Sequence, residues 1–168
     1  ISWVGPTLMI AGTEEQKREY LGRLTAKCSY SAYAITEPGS GSDAASLSTT
    51  YREDGDGYVL NGTKHFITNG TVADWIIVFA TRDKSMRHKG ISCFVVEGDA
   101  EGLTRTKMKG KMGQRSSDTA ELVLDNPPVN ALGSDGWREY ADRITTLGAR
   151  SDVNCLLIRA EGKGFQAG

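Results

Sequence analysis

Two short segments of this sequence combine residue types that can hold a bulky anionic ligand. The first runs from the apolar Tyr33-Ala34-Ile35 into Thr36-Glu37-Pro38-Gly39-Ser40-Gly41-Ser42-Asp43. Its glycines lack the Cβ atom that would block a close approach, and exposed backbone N–H groups bind anions. The second segment, Phe66-Ile67-Thr68-Asn69-Gly70, adds an aromatic ring and a hydroxyl group before a turn. Together the two segments predict a cofactor site.

Each segment has a plainer interpretation when it is taken alone. Gly, Pro, Ser and Asp are the usual turn residues, so residues 36–43 by themselves would be expected to form an ordinary turn. Phe66 and Ile67 by themselves would be expected in the core. Glu37 and Asp43 are expected to cap turns or to bind backbone amides rather than to act as a catalytic pair.

The composition argues against several classes of protein. The 168 residues carry a formal net charge of −1, whereas nucleic-acid-binding domains are usually basic on one face. No apolar run approaches the roughly 20 residues that a membrane-spanning helix needs. The basic stretch 107–115 is compatible with binding phosphates or with a solvated loop.

The three cysteines indicate the redox environment. Cys28, Cys93 and Cys155 are odd in number and far apart, which argues against a disulfide framework or a metal site. We therefore expect a reducing compartment, the cytoplasm or, in a eukaryote, the mitochondrial matrix. The chain starts without Met, and we expect it to be part of a longer protein.

The elements that must position the two segments are mostly strands. Thr13 and Gln16 form a predicted capping box at the start of a helix that ends near residues 25–27. Turn signals such as Asn61-Gly62 then separate short runs of period two. We predict strands over residues 29–35, 47–53, 57–60, 64–68, 75–81, 91–97, 104–108 and 121–124. This pattern predicts a mainly β fold, a compact antiparallel β-barrel or sandwich preceded by a short helix.

The last quarter of the chain has a different pattern. Residues 134–148 have apolar residues at helical spacing, and residues 153–158 form a mostly apolar run typical of a buried strand. Strand, helix and strand in this order predict a βαβ unit. We therefore divide the chain into a β domain, residues 1–124, and a βαβ fragment, residues 125–168.

Three motifs in the same order and spacing resemble the middle domain of the acyl-CoA dehydrogenases. They are Thr36-Glu37-Pro38-Gly39-Ser40-Gly41-Ser42-Asp43, Asn61-Gly62-Thr63-Lys64-His65-Phe66-Ile67-Thr68-Asn69-Gly70 and Lys111-Met112-Gly113-Gln114-Arg115-Ser116-Ser117-Asp118-Thr119. The resemblance covers residues 1–124. It implies a small β domain against which the cofactor FAD lies.

The same resemblance implies specific contacts. Thr36 would lie near the pyrimidine edge of the flavin, Ser42 would also face the acyl-CoA, and Thr68 would offer its hydroxyl near flavin N5. Many members of the family have Trp at position 66, so Phe66 keeps the aromatic plane and loses the indole N–H. The implied cofactor-binding residues are Tyr33, Ile35, Thr36, Gly41, Ser42, Phe66, Ile67 and Thr68.

The resemblance also implies the reaction, which is α,β-dehydrogenation of an acyl-CoA thioester. In this family the carboxylate base lies in a C-terminal helical domain that the sequence does not include, so no catalytic residue is assigned. We expect a chain that binds FAD and acyl-CoA and is inactive or barely active alone. Full-length members of the family are expected to be homo-oligomers.

A second resemblance concerns residues 122–168. Leu122-Val123-Leu124-Asp125-Asn126-Pro127-Pro128-Val129-Asn130-Ala131-Leu132 and Gly162-Lys163-Gly164-Phe165-Gln166-Ala167-Gly168 are similar to the start of an enoyl-CoA hydratase of the crotonase family. Two alternatives to the dehydrogenase domain follow: a hydratase fragment, whose acid/base carboxylates are missing, or a non-catalytic interaction module.

Overall fold

A seven-stranded β-sheet is the framework of residues 3–26, 29–55 and 57–125, which are the residues that the computed structural model describes. The strands are β1 (Ser31–Ala34), β2 (Thr50–Asp54), β3 (Gly57–Thr68), β4 (Trp75–Thr81), β5 (Ile91–Glu97), β6 (Leu103–Lys107) and β7 (Thr119–Leu124). This confirms the mainly β fold. The predicted βαβ unit lies almost wholly in residues 126–168, outside the described residues.

Strand β4 is the centre of the sheet. Strand β5 pairs with it antiparallel along its whole length on one side. On the other side, β1 pairs with its first half and β2 reaches its last residue, both parallel to it. The sheet then continues through β3 and β7 to β6 in antiparallel pairs. Parallel pairing requires a crossover connection, and the long segment between β1 and β4 provides it. The parallel pairs were not predicted.

The hairpin predicted at Asn61-Gly62 is wrong, because β3 is one continuous strand through these residues. Asn61 is the last residue of β3 opposite β2, where it faces Thr50, and Gly62 is the first opposite β7. At Gly62, φ is 153° and an added Cβ would lie 2.7 Å from the Cα of Thr49. Glycine is therefore used where the strand changes partner and another backbone comes close.

Two apolar clusters contact β4. Ile76 and Val78 belong to one cluster, and Trp75 and Ile77 belong to the other. Side chains of alternate residues point to opposite faces of a strand, so β4 is buried on both faces. This explains why its sequence is an uninterrupted apolar run rather than an alternating one.

Two helices precede the sheet. The first, α1 (Val4–Ala11), places Val4 and Leu8 in the cluster around Trp75. It was not predicted from the sequence. The second covers residues 14–26 in three consecutive parts, the middle one (Lys17–Leu21) being π-helical. The predicted capping box is present, since Thr13 Oγ1 accepts from the Gln16 N–H at 3.2 Å and Gln16 Oε1 accepts from the Thr13 N–H at 3.0 Å.

A bidentate ion pair attaches the second helix to the sheet. The Arg23 guanidinium donates to both carboxylate oxygens of Glu97, at 2.8 and 2.9 Å, and the Tyr20 hydroxyl donates to the same carboxylate at 3.0 Å. Charge-assisted bidentate bonds are stronger and more specific than single ones. Within residues 3–26, 29–55 and 57–125, none of the helices is both long and apolar enough to cross a lipid bilayer.

Candidate functional site

The glycine-rich segment after β1 forms a closed turn with an open outer face. Two backbone hydrogen bonds between Glu37 and Ser40, of 2.8 and 3.2 Å, close the turn. Gly39 lies at its exposed tip, and Gly41 follows it, also exposed. A Cβ added at either glycine would meet nothing within 4 Å. The space beside this backbone is therefore free for a ligand.

The backbone of Gly41 and Ser42 offers hydrogen-bond donors on this open face. Among the residues that the structure describes, neither of these two N–H groups donates to a protein acceptor. Successive N–H groups in a turn form an anion-binding concavity. Both residues are exposed, so this stretch of backbone is open to solvent.

The carboxylate of Glu37 fixes the base of this turn. It accepts hydrogen bonds from the Ser48 N–H and Oγ, both at 2.6 Å, from the Thr49 N–H at 2.9 Å and from Lys64 Nζ at 2.7 Å. The expectation that Glu37 binds backbone amides is thus confirmed. Burial alone would raise the pKa of Glu37, but the hydrogen bonds from Lys64, Ser48 and Thr49 outweigh it and lower the pKa to about 2.

Lys64 is the part of the site that the sequence analysis missed. Its side chain is completely buried, and it forms the ion pair with Glu37 and a 3.3 Å hydrogen bond to the Ile35 carbonyl. Burial lowers the pKa of Lys64, and the Glu37 carboxylate opposes that lowering. The available signals were a lysine inside a predicted strand and a glutamate just after another one, but no local pattern pairs residues 27 positions apart.

Phe66 is presented to solvent by an irregularity of β3. The pairing register of β3 with β7 shifts between Lys64 and Ile67, which leaves one extra residue in β3. Phe66 adopts a left-handed φ of 59°, which is uncommon for a bulky residue, and it is 62% exposed. Its ring stacks on the His65 ring with the centroids 4.3 Å apart and the planes 6° from parallel. Bulges of this kind re-aim side chains.

Hydrogen bonds join the first candidate segment to the two residues that immediately precede the second. The His65 N–H donates to the Thr36 carbonyl at 2.8 Å. The ammonium of Lys64 binds the Ile35 carbonyl and the Glu37 carboxylate in the same region. The glycine-rich turn and the irregular part of β3 are therefore neighbours.

The predicted site residues differ in their exposure to solvent. Gly41, Ser42, Phe66 and Thr68 are exposed, and Ile35 and Thr36 are half-buried. The Ile67 side chain is 2% exposed and packs in the core, so a ligand can reach only its backbone.

Tyr33 lies on the helix side of β1 rather than on an open surface. Its ring centroid is 5.1 Å from that of Phe79 and 6.0 Å from that of Trp3, a residue just before α1. The ring is half-buried in this aromatic group. The site prediction for Tyr33 therefore depends on its position in the chain next to the turn.

The third motif supports the second segment. The Asp118 carboxylate accepts from the Thr71 N–H and Oγ1, at 2.8 and 2.7 Å, and the Asp118 carbonyl accepts from the Asn69 N–H at 3.2 Å. These bonds fix the turn that follows Thr68. Beside them, a cavity of about 410 Å³ is lined by Lys107, Met108, Lys109, Gly110, Lys111, Arg115 and Ser117.

The fold and this surface define a small β domain in which a glycine-rich turn and an exposed aromatic ring form one candidate ligand-binding surface. The chain belongs to the acyl-CoA dehydrogenase family, because the family model described as acyl-CoA dehydrogenase, middle domain, matches residues 32–127.

Individual relatives agree with this assignment. A short-chain specific acyl-CoA dehydrogenase of Clostridium acetobutylicum is 43% identical over 160 residues, which is 94% of this chain and 41% of that protein. The structure of butyryl-CoA dehydrogenase from Megasphaera elsdenii is 41% identical, with a TM-score of 0.71 over 75% of this chain and 33% of that one. A glutaryl-CoA dehydrogenase from Mycobacterium smegmatis in complex with FADH2 is 40% identical, with a TM-score of 0.68 over 75% and 31% of the two chains.

The lengths of these alignments also give information about the residues after 125. The chain spans about a third of the length of the curated relatives it matches. The alignment to the C. acetobutylicum protein covers 94% of this chain, more than residues 1–125 can supply, so it extends beyond residue 125. The resemblance of residues 122–168 to the crotonase family is supported neither by the family model nor by these relatives.

Proposed function

We propose that residues 1–124 form the FAD- and acyl-CoA-binding middle domain of a flavin-dependent acyl-CoA dehydrogenase. One observation carries the proposal. The free N–H groups of Gly41 and Ser42 and the exposed ring of Phe66 lie on neighbouring parts of the surface, because the residue before Phe66 donates its N–H to the Thr36 carbonyl. An anion-binding turn next to an aromatic plane suits a ligand that has both a pyrophosphate and a flat ring.

Each exposed group has a role in this proposal. The N–H groups of Gly41 and Ser42 bind the FAD pyrophosphate, and Ser42 also faces the acyl-CoA. Phe66 packs its ring on the flavin, and the Thr68 hydroxyl donates near N5. A fixed donor at that point stabilises charge that develops on reduction. The bound FAD supplies the acceptor for the hydride that leaves the β-carbon of the thioester.

The remaining predicted residues are less exposed and support the proposed ligand-binding surface. Thr36 lies at the pyrimidine edge, and its carbonyl is already bound by His65, so its hydroxyl is the group left for the flavin. Tyr33, Ile35 and Ile67 are half-buried or buried, and they hold the backbone of the two segments in place.

The proposed reaction also needs a base for the α-proton of the thioester. We propose that the α-proton of the thioester is removed by a carboxylate in a further domain of the intact protein, and that this protein is a homo-oligomer. The proposed compartment is the cytoplasm or, in a eukaryote, the mitochondrial matrix.

Titration of the 168-residue protein with FAD tests the proposal, with flavin fluorescence as the signal. We expect saturable binding that F66A weakens about tenfold, since an aromatic pair contributes on the order of 1 kcal/mol beyond its buried area. F66W is expected to restore it. Y30A is the matched control, because Tyr30 is 61% exposed and lies outside the site.

Two results would contradict the proposal. One is the absence of any FAD signal or FAD-induced thermal shift at millimolar FAD. The other is equal weakening by F66A and Y30A, because a loss common to both would not come from the proposed ligand-binding surface.

A further inference from the structure

The ion pair between Glu37 and Lys64 has no exposed part. The side chains of Lys64 and Glu37 are 0% and 1% exposed, and their charged atoms are 2.7 Å apart. Counting the ion pair, the carboxylate accepts four hydrogen bonds and the ammonium donates two. These hydrogen bonds offset the cost of burying the two charges, whereas either partner left alone would be a costly unpaired charge.

The pair lies at the junction of the two segments of the candidate site. Glu37 is the first residue of the closed turn that contains Gly39 and precedes Gly41. Lys64 is the last regularly paired residue of β3 before the shift in register that exposes Phe66. The pair is thus flanked on one side by the anion-binding turn and on the other by the aromatic ring.

A net gain in stability is a weak explanation for such a pair. Replacing a buried ion pair by apolar side chains of similar volume is often neutral or stabilising. An apolar pair would still fill the space between β1 and β3. It would not bind the Ser48 and Thr49 N–H groups or the Ile35 carbonyl, so it would leave the separation of the two segments undetermined.

We infer that Glu37 and Lys64 are positioning residues, which fix the distance and register between the glycine-rich turn and the exposed ring of Phe66. Neither residue touches the ligand in this arrangement. The inference rests on the proposed function only for the identity of that ligand. The geometric claim concerns the protein alone. It states that the ion pair fixes the position of the backbone of residues 35–37 relative to that of residues 64–66.

Replacement of both charges tests the claim. E37Q/K64M keeps the length of the acidic side chain, replaces the lysine by an unbranched apolar side chain of similar size and removes the ion pair, and the 168-residue protein is small enough for NMR. We expect the chain to remain folded, the His65 amide to exchange with solvent about tenfold faster as its opening free energy falls, and the resonances of Phe66 to shift. FAD affinity should fall about tenfold.

A control and a second variant keep the test decisive. R52M/D54N removes the exposed ion pair between Arg52 and Asp54, and it should leave His65, Phe66 and FAD affinity unchanged. E37D keeps both charges and shortens the acidic side chain by one methylene group. If E37Q/K64M fails to fold, E37D decides the matter through the same measurements.

The outcomes separate this inference from the proposed function. A folded variant with unchanged His65 exchange, unchanged Phe66 resonances and wild-type FAD affinity overturns the inference, because the pair would then be only a packing element. If the wild-type protein binds no FAD, the proposed function fails, and the His65 and Phe66 measurements alone support or overturn the positioning role.

Discussion

At the scale of single residues, the site buries charge and exposes an aromatic ring. Lys64 and Glu37 are fully buried, while Phe66 is 62% exposed. This reverses the usual distribution, in which charged residues are outside and large apolar ones are inside. Phe66 also adopts a left-handed backbone conformation, which costs of order 1 kcal/mol or more. Such features cluster at ligand-binding sites.

The depressed pKa of Glu37 gives a prediction for acid denaturation. Its pKa is 4.5 in the reference state and about 2 in the fold, so its contribution to stability is complete above pH 4.5 and is lost as the pH falls towards 2. We expect this group to contribute on the order of 3 kcal/mol to the fall in unfolding free energy over that window.

Urea denaturation of the wild-type protein, E37Q/K64M and E53Q between about pH 2 and pH 6 measures this contribution. E37Q/K64M should have a shallower dependence on pH than the wild type. E53Q, a substitution of an exposed glutamate, should keep the wild-type dependence. Equal slopes in all three proteins would show that Glu37 is not the titrating group.

At the scale of elements, β3 connects the two halves of the sheet. It pairs with β2 up to Asn61 and with β7 from Gly62 onwards. The Asn-Gly pair was predicted to be a hairpin because it normally supplies positive φ angles in tight turns. Here the positive φ serves a change of partner, since Gly62 passes within van der Waals distance of Thr49. The Asn-Gly pair thus correctly indicated a positive φ, but the hairpin inferred from it does not form.

Substitution of Gly62 tests this explanation. In G62A the new Cβ would lie 2.5 Å from the Oγ1 and 2.7 Å from the Cα of Thr49, at a φ of 153°. We expect a loss of about 2–4 kcal/mol in unfolding free energy, as for overpacking at a special backbone position. G39A is the matched control, because its Cβ would meet nothing within 4 Å. A G62A protein as stable as G39A would refute the close approach.

At the scale of the whole molecule, the described part of the chain is organised around β4. Both apolar clusters contact it, and β1, β2 and β5 all pair with it. Residues up to Asp125 belong to one compact unit. Every strand of the sheet is therefore available before residue 126.

This organisation predicts that a protein ending after residue 125 folds without residues 126–168. Its thermal unfolding should be a single cooperative transition. A protein ending after residue 118 is the control. It lacks β7, which pairs with both β3 and β6, and it should not unfold cooperatively. Loss of cooperativity in the longer truncation would contradict the prediction.

Some features could be predicted from the sequence because they depend on neighbours in the chain. The capping box of Thr13 and Gln16, the limits of β4 and β5 and the mainly β class follow from local spacing and periodicity. The two candidate segments could be proposed from the sequence because their motifs are contiguous, and their role as a site stays a prediction. The first helix was missed, and the reason for the Asn61-Gly62 pair was misread.

The sequence by itself determined the residue types of the site, a glycine-rich turn, an aromatic ring and a hydroxyl, because each is a property of a few consecutive residues. The tertiary structure alone decided which of them are exposed. It turned Tyr33 towards the helices, buried Ile67 and exposed Phe66 through the irregularity of β3. It also paired Glu37 with Lys64. Such a pair depends on two distant segments being brought together by the whole sheet, and no local spacing encodes that distance.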